Sequence, residues 1–170
     1  ALGAGLPIFE PVGNMVVDIG GGTSEVAVIS LGDIVTSTSE RIAGDKLNEA
    51  IISHIKRKHN IVIGECTAEN VKIKIGSAIP YDDEEEMDIK GRDIIDGLPK
   101  DVTVTSKEIR EALSYPLTRI VEAVKNTLEN TPPELSADII ERGIMMTGGG
   151  ALLRGIDTLI SESINMPVFI

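Results

Sequence analysis

Val16-Val17-Asp18-Ile19-Gly20-Gly21-Gly22-Thr23-Ser24-Glu25-Val26-Ala27-Val28 runs an apolar strand into three consecutive glycines and out again into a second strand. This is the pattern of a phosphate loop of hairpin type. Backbone without side chains approaches a polyphosphate closely, presents its N–H groups, and tolerates the positive φ angles such a turn demands. Asp18 at the strand end and Thr23 after the glycines would then flank the phosphates. A Walker loop would lead into Lys-Ser/Thr and a helix, whereas these glycines lead into an alternating strand pattern. A glycine-rich turn with no ligand has the same local pattern, so this loop alone leaves both readings open.

A second cluster, Ile144-Met145-Met146-Thr147-Gly148-Gly149-Gly150-Ala151-Leu152-Leu153, joins another apolar strand to a helical pattern. Two such loops in one short chain favour a ligand over coincidence. Gly148, Gly149 and Gly150 would let a base or ribose lie against bare backbone, with the N–H groups of the next helix nearby. Between the loops, Thr67 to Ala78 reads as a helix with Glu69 and Lys72 one turn apart on one face. By itself that pair is equally an ordinary surface ion pair.

Together these segments resemble the actin-like ATPase superfamily of actins, sugar kinases and chaperone ATPases, and within it the bacterial actin MreB family. The residues that carry the resemblance are Ala1-Leu2-Gly3-Ala4-Gly5-Leu6-Pro7-Ile8, DIGGGTSEVAVISLG at 18–32, AGDKLNEAII at 43–52, IGECTAENVKIKIGSA at 63–78 and MTGGGALLRGID at 146–157. It extends over essentially the whole chain.

Bulk properties agree. The 170 residues can bury a real core, as one domain or two small subdomains. A net charge of −11, from 16 Lys+Arg against 27 Asp+Glu, argues against nucleic acid as a partner, because backbone affinity needs clustered cations. Cys66 is the single cysteine, which excludes an internal disulfide and suits a reducing compartment, with a buried or half-buried structural thiol as the default over a nucleophile. Four aromatic residues leave the core to Ile, Val, Leu and Ala. No apolar run reaches membrane-spanning length and no secretory leader pattern precedes Val16, so a soluble chain is expected.

Residues 14–38 predict a β-meander turning at Leu31-Gly32-Asp33. A helix is expected from Asp45 to Lys58, with Leu47, Ala50, Ile51 and Ile55 at helical spacing and cations at its end. His54 and His59 read as satisfied surface or core-edge residues, since no ligand-spaced partners recur. The run Pro80 to Glu86 reads as a solvated acidic loop, and the alternation around Met87–Lys90 and Asp101–Thr105 as a hairpin. Thr105 and Glu108 form a capping-box pattern for a helix striped by Ile109, Leu113, Leu117, Ile120, Val121, Val124 and Leu128. Pro116 within that stripe predicts a kink or break. A short helix at Glu134–Glu141, a strand at Gly143–Thr147, a helix using Ile156, Leu159, Ile160 and Ile164, and a final strand at 167–170 complete the expectation.

The fold class expected is α/β. The resemblance implies half of the actin or ribonuclease-H-like ATPase fold, the second half: a nucleotide-binding α/β subdomain at 1–44 and 131–170, and a smaller inserted α+β subdomain at 45–130. It implies ATP and Mg²⁺ as cofactors. Asp18 would orient Mg²⁺ through water, and Gly20, Gly21, Gly22 and Thr23 would cradle the β- and γ-phosphates. Glu69 and Lys72 would lie beside ribose and adenine, and Gly148, Gly149, Gly150 and Ala151 would floor the adenosine. No catalytic residue is assigned, the family's catalytic glutamate being expected upstream of Ala1, and little hydrolysis is expected of this chain alone. The implied function is a slow-ATPase cytoskeletal protein that self-associates into membrane-associated filaments, works with cell-wall synthesis and membrane proteins, and directs rod shape. The expected location is the cytoplasm, at the inner face of the cell membrane, without direct membrane insertion by this chain. A sugar- or acetate-kinase-type ATPase and a chaperone-type ATPase of the same superfamily are the alternatives.

Overall fold

The computed structural model describes residues 5–170, so Ala1 to Ala4 of the lead-in quoted above lie outside the described residues. The expected meander forms from β1 (Asn14–Ile19), β2 (Ser24–Ser30) and β3 (Asp33–Glu40). Leu31 and Gly32, with φ of 52° and 82°, make the two-residue turn between β2 and β3, the left-handed geometry that matches strand twist. Then come α1 (Gly44–His59), β4 (Ile61–Val62), α2 (Glu65–Ile75), β5 (Glu86–Asp93), β6 (Pro99–Thr105) and α3 (Ser106–Glu129). The chain ends through α4 (Pro133–Arg142), β7 (Ile144–Thr147), a 3-10 turn at Gly149–Leu152, α5 (Ile156–Ile164) and β8 (Val168–Phe169).

Five strands form a mixed sheet in the order β3-β2-β1-β7-β8, antiparallel through the meander and parallel from β1 to β7 to β8. A parallel pair cannot be closed by a tight turn. Residues 41–143 therefore make the crossover between β3 and β7, and this crossover holds a second, antiparallel sheet, β4-β5-β6. β1 is central, and Met15, Val16, Val17 and Ile19 are all buried, as a strand covered on both faces requires. α3 packs on β2 and β3, α1 packs on α2 and α3, and α4 lies against β1. One continuous core links Val17, Ile19 and Val28 of the large sheet to Leu47, Ile51, Val71, Leu113 and Ile120 of the helices and Ile61, Ile89 and Val104 of the small sheet.

Three local expectations are corrected. The break expected at Pro116 does not occur: α3 runs on through it as one helix, and Pro116 is buried. The missing N–H costs about 3 kcal/mol, which burial of so long an apolar stripe outweighs. The acidic loop is solvated as expected, with Asp82 to Glu86 all exposed, yet two of its carboxylates are paired at the surface. Glu84 receives Arg110 at 2.7 Å and the Ser106 hydroxyl, and Glu85 receives Arg154 at 3.0 Å and the Tyr81 hydroxyl at 3.2 Å. Those cations lie 26 and 69 residues away in sequence, beyond the reach of any local pattern. His54 is not satisfied, its Nε2 being buried without a partner, and Cys66, expected buried or half-buried, is exposed at the start of α2.

The Thr105 hydroxyl caps α3 by accepting the Glu108 N–H at 3.2 Å. The Glu108 side chain instead turns to α1, receiving Lys58 at 2.6 Å and meeting His59 Nε2 at 2.8 Å. Burial acts to raise the Glu108 carboxyl, but the hydrogen bonds from Lys58 and His59 outweigh it and hold it below its ordinary value. His54 is held below the ordinary imidazole value chiefly by burial, which the Glu108 carboxylate opposes and Lys58 and Arg57 reinforce.

A group whose folded value is depressed binds protons more readily unfolded. It contributes stability that is complete above the unfolded value and lost as pH falls through the folded one. Equilibrium unfolding across pH is expected to show stability declining below about pH 6.5 from His54 and again below about pH 4.3 from Glu108. His54→Leu should remove the first decline. Glu108→Gln should lessen the second, to which Glu84 and Asp93, also held below their ordinary values by hydrogen bonds, contribute as well, and should cost about 1–3 kcal/mol at neutral pH, because Lys58 and His59 lose their carboxylate.

Candidate functional site

The first glycine loop is closed by the Gly20 N–H donating to the Thr23 carbonyl at 2.9 Å. Its back is held by α1, whose Gly44 and Asp45 N–H groups donate to the Gly20 and Gly21 carbonyls at 3.0 and 2.8 Å. The first N–H groups of a helix have no partner within it, and here two of them fasten the hairpin. The N–H groups of Gly21 and Gly22 meet no acceptor among the described residues. A Cβ at Gly22 would touch nothing within 4 Å, and Gly22 lies outside the left-handed region. Neither packing nor backbone angle within the chain requires glycine there; close approach by a ligand would.

Parallel pairing of β1 with β7 sets Asp18 opposite Thr147 and brings the second loop beside the first. Gly148 has φ +86°, and a Cβ on it would overlap the Ile19 carbonyl and lie 2.5 Å from Asp18 Oδ1. A Cβ on Gly150 would overlap Ile19 Cγ2, whereas one on Gly149 would touch nothing. Gly148 and Gly150 thus let the two loops pack, and Gly149 faces open space.

α2 supplies the facing wall. Glu65, Glu69, Lys72 and Ile73 fall at i, i+4, i+7 and i+8, one helical face. Lys72 Nζ donates to the Gly44 carbonyl at 3.3 Å and so ties α2 to the start of α1. Burial pushes the Lys72 ammonium below its ordinary value, while Glu69, Asp45 and Glu65 oppose that shift.

These elements enclose a cavity of about 680 Å³. Of the residues expected from sequence, Gly20, Gly21, Glu69, Lys72, Gly149 and Gly150 line it. Asp18, Gly22 and Thr23 are exposed on the hairpin just outside the lining, Gly148 sits behind against Asp18 and Ile19, and Ala151 is buried in the core. Sequence reading missed Gly44, Asp45 and Asn48 of α1, Glu65 and Ile73 of α2, and Leu152 and Arg154 after the second loop. Helical spacing from Lys72 would have found Glu65 and Ile73. Ile73 and Leu152 are apolar yet 70% and 79% exposed, an uncovered pair on the cavity wall. Arg154 stacks over the Tyr81 ring at 4.3 Å while pairing with Glu85. Among the described residues no group of three or more His, Cys, Asp or Glu side chains is placed to hold a metal ion by itself.

Two glycine loops at the same end of adjacent central strands, with a helix pair closing a cavity against them, define the actin-like fold. The family model for the MreB/Mbl protein matches residues 1–170, and the chain belongs to that family. It is 57% identical over 170 residues to the cell shape-determining protein Mbl of Bacillus cereus and 54% identical to the cell shape-determining protein MreB of Escherichia coli. All of this chain aligns, against 51% and 49% of those proteins, so it spans about half the length of the curated relatives it matches. The crystal structure of MreB5 of Spiroplasma citri bound to AMPPNP superposes with a TM-score of 0.95 at 47% identity, over 99% of this chain and 50% of that one. The kinase and chaperone alternatives are not favoured by these matches.

Gly150→Ala is expected to destabilise the fold by about 1–3 kcal/mol in denaturant unfolding, because the new methyl overlaps Ile19. Gly149→Ala should leave stability within about 0.5 kcal/mol.

Proposed function

We propose that this chain forms one side of the nucleotide cleft of a bacterial actin-like cytoskeletal protein and binds ATP with Mg²⁺. The observation that supports this best is the pair of juxtaposed glycine loops with uncommitted amides at Gly21 and Gly22, where nothing inside the chain calls for glycine at 22 or 149. Gly20, Gly21, Gly22 and Thr23 hold the β- and γ-phosphates, and the fixed N-terminal end of α1 behind them favours negative charge. Asp18, exposed at the end of β1 beside Gly148, suits a hydrated Mg²⁺, which takes one or two carboxylates and keeps its waters. The bound nucleotide supplies the phosphoanhydride whose hydrolysis would drive a change of state; no group here is assigned to that step.

Glu69 and Lys72 adjoin the ribose and base, and Gly148, Gly149, Gly150 and Ala151 form the floor, Ala151 from within the core. The exposed pair Ile73 and Leu152 gives the base an apolar slot, since a flat aromatic ring is the group that would cover them. Residues 1–44 and 131–170 serve as the nucleotide-binding subdomain and 45–130 as the insertion; the five-stranded sheet draws its strands from 14–40 and 144–169 and the three-stranded sheet from 61–105.

The complete protein self-associates into filaments, acts with cell-wall synthesis and membrane proteins in setting rod shape, and works in the cytoplasm at the inner face of the membrane. Family membership supports this reading. Among the described residues no helix is long and apolar enough to cross a membrane.

Calorimetric titration of Mg-ATP tests the site. The chain should bind, and an Asp18→Ala, Gly21→Val double variant that retains its fold should bind at least tenfold more weakly. Equal affinity in the variant, or no binding by the folded parent, would overturn the assignment.

A further inference from the structure

Lys72 is a long side chain whose two ends meet different parts of the cavity. Its backbone adjoins Ile73, half of the exposed apolar pair, while its Nζ donates to the Gly44 carbonyl at 3.3 Å. Gly44 is also the residue whose own N–H holds the Gly20 carbonyl. A Cβ on Gly44 would lie 3.4 Å from the Gly20 carbonyl oxygen, 3.6 Å from Gly21 Cα and 3.7 Å from Lys72 Nζ. The ammonium and the glycine hairpin therefore converge at the start of α1.

The surrounding charge is mostly negative. Asp45, Glu65 and Glu69 line the same cavity, and Arg154, the other cation on its wall, is paired with Glu85. Lys72 gives one N–H to Gly44 and has two more to offer. Burial disfavours its charge in the free chain. A ribose and base are neutral and return little of that cost. A polyphosphate is multiply anionic, is repelled by the three carboxylates, and among the described residues that line the cavity Lys72 is the cation left to meet it.

We propose that Lys72 acts at the phosphate end of the site: its stem lies beside the nucleoside, and its ammonium, held at the start of α1 by the Gly44 carbonyl, donates its remaining N–H groups to the phosphates. The proposal rests on the nucleotide reading above, in which Lys72 adjoins the ribose and base, and assigns its charge to the other end of the ligand.

The test titrates Mg-ATP, Mg-tripolyphosphate and adenosine into the parent chain, Lys72→Met and Lys72→Arg, with ligand-free unfolding of each. Lys72→Met keeps the stem and loses the charge. It should bind Mg-ATP and Mg-tripolyphosphate on the order of tenfold more weakly, the loss of a charge-assisted hydrogen bond, and adenosine as the parent does. Lys72→Arg keeps charge and donors and should recover most of the phosphate affinity. Parent-like tripolyphosphate affinity in Lys72→Met, or an equal loss for tripolyphosphate and adenosine, would overturn the proposal and leave the nucleotide reading standing. So would a folded parent that binds Mg-ATP but not Mg-tripolyphosphate. Should Lys72→Met not fold, acylation of the Lys72 amine in the parent, followed by mass spectrometry, decides: Mg-tripolyphosphate should slow it, and an unchanged rate at saturation would overturn the proposal. Failure of the folded parent to bind either Mg-ATP or Mg-tripolyphosphate would overturn the nucleotide reading itself.

Discussion

The parallel pairing of β1 with β7 is the constraint on which the rest of the structure depends. It places Asp18 level with Thr147, so that both strands end together and both glycine loops emerge at the same edge of the sheet. Ligands of open α/β sheets gather outside the carboxyl ends of strands for this geometric reason. The pairing also explains glycine at two positions that no ligand need touch. Gly148 and Gly150 pass so close to Ile19 that a methyl group would overlap it.

A loop of three glycines is conformationally expensive to hold still. Here the cost is offset by contacts from outside the sheet. The Gly44 and Asp45 amides hold the hairpin carbonyls, and Lys72 reaches from α2 to the Gly44 carbonyl. Hairpin, α1 and α2 are thus tied to one another, while the Gly21 and Gly22 amides meet no acceptor among the described residues. Preorganised donors of this sort need no reorganisation when an anion arrives.

The far end of the cavity is tied to the small sheet by charge. Arg154 leaves the second loop, stacks on Tyr81 and pairs with Glu85; Glu84 pairs with Arg110 of α3, and the Glu85 amide donates to the Ser106 hydroxyl. Ser77 bridges to Arg154 and Ala78 donates to the Arg154 carbonyl, so backbone and side chains bind the same two segments. The stretch between α2 and β5, which reads as an acidic tract, is the joint between cavity and small sheet.

Much of this was legible in the chain. The alternation of 14–40, the stripes of α1 and α3 and the glycine loops specify their own elements, because periodicity and turn chemistry act over a few residues. The three segments in order specified the family, and with it the hairpin, α2 and second loop as parts of one site. Partnerships across long separations were not legible. Glu84 with Arg110, Glu108 with Lys58 and His59, the burial that carries α3 through Pro116, and the arrival of Asn48, Ile73 and Leu152 on one cavity wall all depend on distances that exist only after the chain has packed. Local sequence determined which segments would be strands, helices and bare turns. Tertiary structure decided which glycines are there for packing and which face open space, and which buried polar atoms are left without a partner, since a neighbour's position is a property of the whole core.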